Sequence, residues 1–275
     1  MFELPKPEDD GLCIPEVPEH SKYKHHFIRR YIDAFTTSMK DKKWSGLHYI
    51  DLFAGAGIER LRNSRKLDWG SPLIAAQAPY PFTKLHLCEK VSDLHNALEI
   101  RVKRFKSDSQ IIQGDANQKI SQIVSDIPEK TLSLSFLDPH GFHLEFQTLK
   151  ILASIRTDLI IFFPDRLDAL RNWAAYYLDN PESNLDRYLG SGIDWRERLS
   201  KTPSDHQAEV LRDMYIQQIK DQLDYTEFDY ERIKTTKGNP LYYLIFCSRS
   251  PTATHLWRQI AEKKPNGQRT FKFEP

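Results

Sequence analysis

Short apolar segments alternate with segments of helical periodicity along this chain, and this alternation constrains the fold more than any other feature. The predicted strands are residues 48–53, 84–89, 109–113, 132–138 and 159–163, with helices predicted between them. Such alternation is typical of right-handed crossovers and of a mainly parallel sheet that helices cover on both faces. The sequence therefore predicts an α/β fold.

The alternation stops after the fifth strand. Residues 165–205 are rich in Arg, Asp, Trp and Tyr and predict a helical insertion, and a helix is predicted over 206–223. Two further strands, 228–235 and 241–248, are joined by Lys-Gly-Asn-Pro at 237–240, which favours a hairpin turn. We therefore expect a seven-stranded, mainly parallel sheet that ends in an antiparallel hairpin, which a plain dinucleotide-binding fold lacks.

The length of 275 residues suits one large domain with an insertion, or one domain with a small lobe. Residues 1–20 are acidic and contain prolines, which predicts a loose tail, and residues 21–275 predict a domain that begins with an amphipathic helix. Apolar residues make up 40% and charged residues 28% of the chain, the balance of an ordinary soluble protein. No apolar segment reaches the roughly 20 residues of a membrane helix, and no secretion signal is recognisable. We expect a cytoplasmic protein without membrane contact.

Metal and disulfide chemistry are not expected. Cys13, Cys88 and Cys247 are odd in number and lack C-x-x-C spacing, which argues against a disulfide framework and against a zinc ribbon. His25 and His26 are neighbours on the first predicted helix, where their side chains diverge by about 100° and make a poor chelate. The net charge of +1 neither requires nor excludes a nucleic-acid partner.

The first predicted strand ends at Asp51 and continues into a turn that contains Gly55 and Gly57. Glycine permits a positive φ and a close approach of a ligand to the backbone. Ligands of open α/β sheets bind beyond the carboxyl ends of the strands. A carboxylate there suits a cationic ligand such as S-adenosylmethionine, which carries a sulfonium and an ammonium group, and it suits a pyrophosphate poorly. The alternative is that the two glycines form only a tight turn.

The next two predicted strands also end in acidic residues. Glu89 could accept both hydroxyls of a ribose, or it could be a solvated charge paired with Lys90. Asp115 could accept from the amino group of an adenine, or it could cap the helix that starts at Asn117. The two roles of Asp115 are compatible.

The fourth predicted strand ends in Asp138-Pro139-His140-Gly141-Phe142. Asp138 could form the floor of a site and Phe142 could hold a planar amine, or Asp138 could simply bond nearby amides of a turn. His140 could be a general base, because histidine titrates near neutral pH, or a turn residue with one backbone bond. Four acidic ends at consecutive strands are much harder to obtain by chance than any one of them. The combination indicates a single ligand site.

These segments resemble motifs of the class I S-adenosylmethionine-dependent methyltransferases. Residues 51–57 resemble the first motif, and Glu89, Asp115 and Asp138 fall where the second, third and fourth motifs lie. Over about residues 20–262 the chain more narrowly resembles the three-Cys-motif partner protein (TcmP) family. The matching segments are Tyr-Ile-Asp-Leu-Phe-Ala-Gly from 49, Gly-Ser-Pro-Leu-Ile-Ala from 70, Gly-Asp-Ala-Asn from 114, Phe-Leu-Asp-Pro-His-Gly from 136 and Leu-Tyr-Tyr-Leu-Ile-Phe from 241.

The resemblance implies a Rossmann-like class I methyltransferase fold, S-adenosylmethionine as cofactor, and a partner protein that carries a three-cysteine motif and resembles radical-type S-adenosylmethionine proteins. It places the cofactor beside Asp51, Phe53, Ala54, Gly55, Gly57, Glu89, Lys90, Asp115 and Ala116. Within this set, the residues from Asp51 to Gly57 would line the amino-acid part, Glu89 would hold the ribose, and Asp115 with Ala116 the adenine. The catalytic side would consist of Asp138, Pro139, His140 and Phe142, with Asp138 orienting or deprotonating the acceptor.

The sequence departs from the superfamily pattern at two places. Residues 58–69 separate the glycine turn from its helix, which usually follows directly. At the fourth strand, Asp-Pro-His-Gly-Phe replaces the Asp-Pro-Pro-aromatic motif of amino methyltransferases, and Phe142 lies one position late. This second difference argues against N-methylation of a base without excluding it.

Basic and aromatic residues crowd two segments near the predicted site. They are Arg60, Arg62, Arg65, Lys66 and Trp69 after the glycine turn, and Arg166, Arg171, Trp173, Tyr176 and Tyr177 after the fifth strand. Such interleaving suits single-stranded or flipped nucleotides, although aromatics at helical spacing more often belong to the core. Lys22 and Lys24 on the first helix could reach the carboxylate of the cofactor, but a solvated face is the favoured interpretation.

We therefore expect an S-adenosylmethionine-dependent methyltransferase whose acceptor is a nucleic acid or a nucleotide-derived species. A rival interpretation is a non-catalytic S-adenosylmethionine-binding accessory subunit of a three-Cys-motif partner, acting in nucleic-acid modification or defence. A third, an NAD-dependent oxidoreductase, is disfavoured by the terminal hairpin and by Phe53, which stands where the first dinucleotide glycine would be.

Overall fold

A computed structural model of the protein describes residues 3–165, 176–235 and 238–262. The strands within these ranges are β1 (Glu16–Val17), β2 (Gly46–Asp51), β3 (Ile58–Leu61), β4 (Leu67–Trp69), β5 (Lys84–Glu89), β6 (Ser109–Gln113), β7 (Thr131–Leu137), β8 (Thr157–Phe163), β9 (Glu227–Lys234) and β10 (Pro240–Ser248). The helices are α1 (Ser21–Met39), α2 (Ser71–Ala76), α3 (Ser92–Val102), α4 (Ala116–Ser125), α5 (Phe146–Leu152), α6 (Asn184–Leu189), α7 (Trp195–Ser200), α8 (Gln207–Leu223) and α9 (Pro251–Ala261).

The main sheet, as far as the described residues show it, has seven strands in the order β6-β5-β2-β7-β8-β10-β9. The first five strands in this order are parallel, and β10 runs antiparallel to both of its neighbours. The predicted Rossmann-like methyltransferase fold with its terminal hairpin is confirmed. The strand order reverses at β2, so the ligand-binding switch point of the fold lies beside the carboxyl end of β2.

Hydrophobic layers cover both faces of the sheet. One layer consists of α1, α2, α3 and α9, and the other of α4, α5, α8 and the helices after β8. In the first layer the rings of Phe246 and Trp257 stack with centroids 5.0 Å apart. Every residue of β8 is buried between the two layers, which explains why this strand is apolar almost throughout.

Helix α9 is not among the helices predicted from the sequence. It follows Ser250 and begins with Pro251, and its Trp257 and Ile260 are buried. The same Ser-Pro pair starts the predicted helix at Ser71, so the sequence contained the necessary signal.

The segment before α1 is not the loose tail that its composition predicts. β1 pairs in parallel with β3, and β3 pairs antiparallel with β4, so the three strands form a second sheet. Ion pairs join Asp9 to Arg60, at 2.6 Å, and Glu16 to Arg65. Two acidic side chains of the predicted tail, Asp9 and Glu16, are thus partners of the basic hairpin at residues 58–69.

The described part of the insertion after β8 is helical, as predicted, and contains α6 and α7. Tyr177, Tyr188 and Trp195 are buried, whereas Tyr176 is 67% exposed. Most of these aromatics therefore belong to the core, which is the interpretation that helical spacing favours. The basic and aromatic candidates outside the described residues are Arg166, Arg171 and Trp173, and Lys237 of the hairpin turn is also outside them.

None of the helices in the described ranges is both long and apolar enough to cross a membrane. Among the same residues, no group of three His, Cys, Asp or Glu side chains is arranged to hold a metal ion. Cys88 and Cys247 are buried free thiols, and Cys13 is an exposed one.

Candidate functional site

The predicted acidic residues follow strands whose carboxyl ends meet at one edge of the main sheet. In the parallel ladders Asp51 lies opposite Leu87 and Phe136, and Glu89 lies opposite Gln113. We call this side of the sheet, where β2, β5, β6 and β7 end, the carboxyl edge, and the opposite side the amino edge. The fold therefore places the four carboxylates of Asp51, Glu89, Asp115 and Asp138 at the same edge.

The loop after β2 leaves part of its backbone open to a ligand. Gly55 and Gly57 have positive φ values of 62° and 81°. A side-chain carbon on Gly57 would lie 2.8 Å from Leu73, so the close packing of the loop on α2 requires this glycine. A side-chain carbon on Gly55 would meet no atom within 4 Å among the described residues. Gly55 thus borders a space that no described atom fills, at the carboxyl edge of the sheet.

Glu89 holds this loop in place. Its Oε2 accepts a hydrogen bond from the N–H of Gly55 at 2.8 Å, and its Oε1 accepts one from the N–H of Val91 at 2.7 Å. The residue is only 8% exposed. It is therefore not the solvated partner of Lys90, whose side chain is exposed and pairs with Asp115 instead.

Asp115 caps α4, as predicted. Its Oδ1 accepts from the N–H of Asn117 at 3.0 Å, and its Oδ2 accepts from Nζ of Lys90 at 3.0 Å. Burial acts to raise the pKa of Asp115, but the bonds from Lys90 and Asn117 outweigh it and lower the pKa below its ordinary value. The side chain of Asn117 also bonds the carbonyl of His143 and the N–H of Glu145, which ties α4 to the loop after β7.

Asp51 is fully buried beneath the glycine loop. Its carboxylate accepts hydrogen bonds from the N–H of Phe53 at 3.2 Å, the hydroxyl of Ser71 at 2.6 Å and the hydroxyl of Tyr49 at 3.2 Å. Burial raises the pKa of Asp51 to about 7 against the effect of the Ser71 and Phe53 bonds, and the nearby charge of Asp138 raises it further. The structure gives Asp51 the role of supporting the loop from below.

The other predicted cofactor residues differ in what they can present to a ligand. Ala54 and Ala116 are buried, at 4% and 5% exposure, so neither side chain offers an exposed surface. Phe53 is partly buried and packs against the core.

Lys24 of α1 reaches the carboxyl edge and forms an ion pair with Asp138. Its side chain is 14% exposed, and its ammonium lies 5.7 Å from the ring centroid of Phe162. Burial acts to lower the pKa of Lys24, but the carboxylates of Asp138 and Glu59 outweigh it and raise the pKa. The favoured interpretation of a solvated face is wrong for Lys24, whereas the side chain of Lys22 is 46% exposed.

The loop after β7 places Phe142 in the core rather than at the opening. Phe142 is 2% exposed, and its ring centroid lies 4.8 Å from that of Tyr188 and 5.9 Å from that of Phe163. Because these rings cover it, the structure gives no support to the prediction that Phe142 stacks on an acceptor. Pro139 is also buried, and His140 is exposed.

The basic segment after the glycine turn is largely engaged within the molecule. Arg60 and Arg65 form the ion pairs with Asp9 and Glu16, and the indole N–H of Trp69 donates to the carbonyl of Pro5 at 2.7 Å. Arg62 and Lys66 are exposed. Only part of the predicted basic cluster is thus open to a phosphate backbone.

Arg101 of α3 supports the loop from the other side, although nothing in its local sequence singles it out. Its guanidinium is 1% exposed and donates to both carboxylate oxygens of Asp10, at 2.7 and 3.0 Å. It also donates to the carbonyl of Ala56 at 2.8 Å and to that of Cys13 at 2.9 Å. Arg101 therefore fixes the carbonyl between Gly55 and Gly57 and ties it to the N-terminal segment.

No protein-family model matches the chain, and no curated protein matches it in sequence. Among solved structures, it is similar to protein LPL1258 of Legionella pneumophila, family model DUF519, with a TM-score of 0.55, 9% identity, and coverage of 90% of this chain and 94% of that one. It is also similar to the O-methyltransferase of Bacillus cereus in complex with SAH, with a TM-score of 0.48, 10% identity, and coverage of 82% and 80%. The first likeness supports the assigned fold. The resemblance to the TcmP family stays a prediction.

Proposed function

We propose that this chain binds S-adenosylmethionine at the carboxyl edge and transfers its methyl group to an acceptor. The observation that carries the proposal is the open space at Gly55 at the switch point of the sheet, bordered by a loop whose backbone is hydrogen-bonded to Glu89, Asp51 and Arg101. A cradle of this kind, at the switch point of the sheet, lets a ligand approach the backbone closely.

The residues at this edge fit a cationic nucleoside. Each oxygen of Glu89 accepts one backbone N–H, and a carboxylate oxygen has a second lone pair with which it could take a ribose hydroxyl. Asp115 retains acceptor capacity beside Ala116 for the amino group of an adenine. The acidic surroundings attract a sulfonium, and when bound this group supplies a methyl carbon open to nucleophilic attack.

The residues of the chain that would act on the acceptor are Asp138 and Lys24. Asp138 would orient the attacking group or take its proton. Lys24 would pair with the ionised Asp138 carboxylate between turnovers. Methyl transfer is a direct displacement, so the protein mainly supplies proximity and a site without water. We propose a nucleic acid or a nucleotide-derived species as acceptor, because the exposed Arg62 and Lys66 lie on the hairpin that follows the glycine loop.

Two observations favour a second candidate, a donor-binding subunit without catalysis. Asp138 is bound by Lys24, and Phe142 is covered by core rings, so neither predicted acceptor contact is free in this structure. Such a subunit would serve a three-Cys-motif partner in nucleic-acid modification or defence.

Calorimetry with S-adenosylmethionine and S-adenosylhomocysteine tests donor binding directly. Glu89→Gln should weaken binding at least tenfold, because an amide can no longer accept at every position that the carboxylate uses. Glu99→Gln, on the exposed side of α3, is the matched control and should leave binding unchanged. Absence of binding to the unaltered chain would end the proposal.

A labelled-methyl assay then separates the two candidates. Transfer to RNA or DNA by the chain alone supports the enzyme. Donor binding without transfer, with transfer appearing only when a three-Cys-motif partner is added, supports the accessory subunit.

A further inference from the structure

A cavity of about 570 Å³ opens at the amino edge of the main sheet, on the side opposite to the proposed donor site. It lies between the end of α1, the first turn of α9 and the starts of β7 and β8. This volume falls within the range of about 300–1,000 Å³ that is usual for small-molecule sites. None of the proposed donor-site residues lines the cavity.

The interior of the cavity is mainly apolar. Its walls include Phe35, Met39, Leu132 and Leu256. An apolar group that enters the cavity would leave water, and this burial favours binding. The interior therefore suits an aliphatic or aromatic body.

The floor of the cavity contains one buried carboxylate. Asp158 is 7% exposed and accepts hydrogen bonds from the hydroxyl of Tyr31 at 2.9 Å and from that of Ser248 at 2.6 Å. Burial raises its pKa to about 6, against the effect of these two bonds and of the charge of Arg249. The floor therefore offers less repulsion to an anion near or below this pH than an ordinary carboxylate would.

The mouth of the cavity is cationic. Lys42, Lys43 and Arg156 line it and are exposed, and the guanidinium of Arg156 lies 5.7 Å from the ring centroid of Trp44. Within the described ranges, no carboxylate lies at ion-pair distance from these three side chains. Arg249 also lines the cavity, but its guanidinium donates to backbone carbonyls. Three cations around one apolar opening attract an anion.

We propose that this cavity binds a small organic anion whose apolar body lies against Phe35 and Leu132 and whose phosphate or carboxylate stays at the mouth with Lys43 and Arg156. Charge complementarity selects this class of ligand, since a cation would meet three positive side chains on entry. The inference does not depend on the proposed function, because the two sites lie at opposite edges of the sheet.

Calorimetry of the full chain with four probes tests the proposal. The probes are 1-naphthyl phosphate, 1-naphthoate, 1-naphthol as the body without the charge, and inorganic phosphate as the charge without the body. At least one naphthyl anion should bind ten times more tightly than naphthol and inorganic phosphate, both with and without S-adenosylhomocysteine. The proposal would be overturned if naphthol or inorganic phosphate bound as tightly as the naphthyl anions. It would also be overturned if S-adenosylhomocysteine abolished binding of the anions, or if neither anion bound.

Substitutions of residues that line the cavity test whether the probe binds there. The double substitution Lys43→Ala with Arg156→Ala should weaken binding of the naphthyl anion at least tenfold. Ala253→Trp, at a partly exposed position that lines the cavity, should block it. The control, Arg198→Ala with Lys201→Ala, removes one Arg and one Lys charge from exposed positions at the end of α7, away from the cavity, and should change nothing. If the Lys43→Ala, Arg156→Ala protein unfolded normally and bound the naphthyl anion with unchanged affinity, this site would be rejected.

Discussion

The two edges of the main sheet differ in charge, although each contains a buried aspartate with a raised pKa. At the carboxyl edge, Asp51 lies near a second carboxylate, Asp138, whose charge raises its pKa further. At the amino edge, Asp158 lies near Arg249, whose charge lowers its pKa, and exposed cations surround the cavity above it. Both aspartates are anchored by hydroxyl donors.

In our two proposals the sheet provides two places for ligands, and the loops decide what each place attracts. Parallel strands gather all their carboxyl ends at one edge and all their amino ends at the other. Acidic residues that end the strands therefore accumulate at one edge, and the basic residues before β2 and β8 accumulate at the other. We expect the first edge to favour a cation and the second an anion.

The largest effect is expected for Arg101, a cation that lies at the acidic edge but has its charge balanced by Asp10. Arg101→Met should lower the free energy of unfolding by about 3–5 kcal/mol, because it removes the buried partner of the Asp10 carboxylate, which keeps only the exposed Arg104 as a cation, and leaves two carbonyls without their donor. Donor affinity should fall as well, since the carbonyl of Ala56 is released. Arg104→Met is the control, because Arg104 pairs with the same Asp10 from an exposed position, and its effect should stay below about 1 kcal/mol. Equal losses in urea unfolding for both variants would contradict the supporting role.

The next largest effect is expected for substitutions in the glycine loop, where Gly55 should affect mainly donor binding and Gly57 mainly stability. Gly55→Ala places a methyl group in the open space and should weaken donor binding about 100-fold, or about 3 kcal/mol, with a stability loss of about 1–2 kcal/mol from the left-handed backbone. Gly57→Ala should instead mainly destabilise the fold, because its methyl group would press on Leu73. Calorimetry and thermal unfolding of both variants check this. Tight donor binding by a folded Gly55→Ala protein would show that the ligand does not lie there.

The buried aspartates should make stability depend on pH at both edges, with the same sign. Because each folded-state pKa lies above the ordinary value of 3.8, the folded state retains a proton that the unfolded state has lost, and stability falls as pH rises. Between about pH 5 and about pH 7 the fall should be about 2 kcal/mol for Asp51 and about 1 kcal/mol for Asp158. Asp51→Asn and Asp158→Asn should each remove their share of this slope in urea unfolding. A slope that neither substitution alters would show that both carboxyls titrate normally.

Features set by local sequence could be predicted, and these include most of the fold. The strands at 84–89 and 109–113 and the cap at Asp115 follow from apolar runs and a turn residue that lie next to each other in the chain. The acidic strand ends could be placed at one edge because parallel pairing alone requires it. Helix α9 could also have been predicted, because Ser250-Pro251 is a local signal for the start of a helix.

Features that depend on partners distant in sequence could not be predicted. Lys24 and Asp138 are separated by 114 residues, and Arg101 and Asp10 by 91. No periodicity of either segment reveals that such side chains meet, and each one alone reads as a surface charge. The N-terminal segment looked loose for the same reason, because its order comes from pairing with the hairpin at residues 58–69.

The smallest effect tests the comparison most directly, because it asks whether removal of a cation has opposite consequences at the two edges. The family resemblance places Lys90 beside the cofactor, yet its side chain is 73% exposed and pairs with Asp115. Lys90→Ala should tighten donor binding by about two- to threefold at low salt, well under 1 kcal/mol, because it leaves the acidic edge more negative and frees Asp115. Lys103→Ala, an exposed control at the end of α3, should have no effect, and high salt should abolish the gain. Arg156→Ala at the amino edge should instead weaken binding of a naphthyl anion. If Lys90→Ala weakened donor binding, Lys90 would contact the ligand itself, and net charge would not be what distinguishes the two edges.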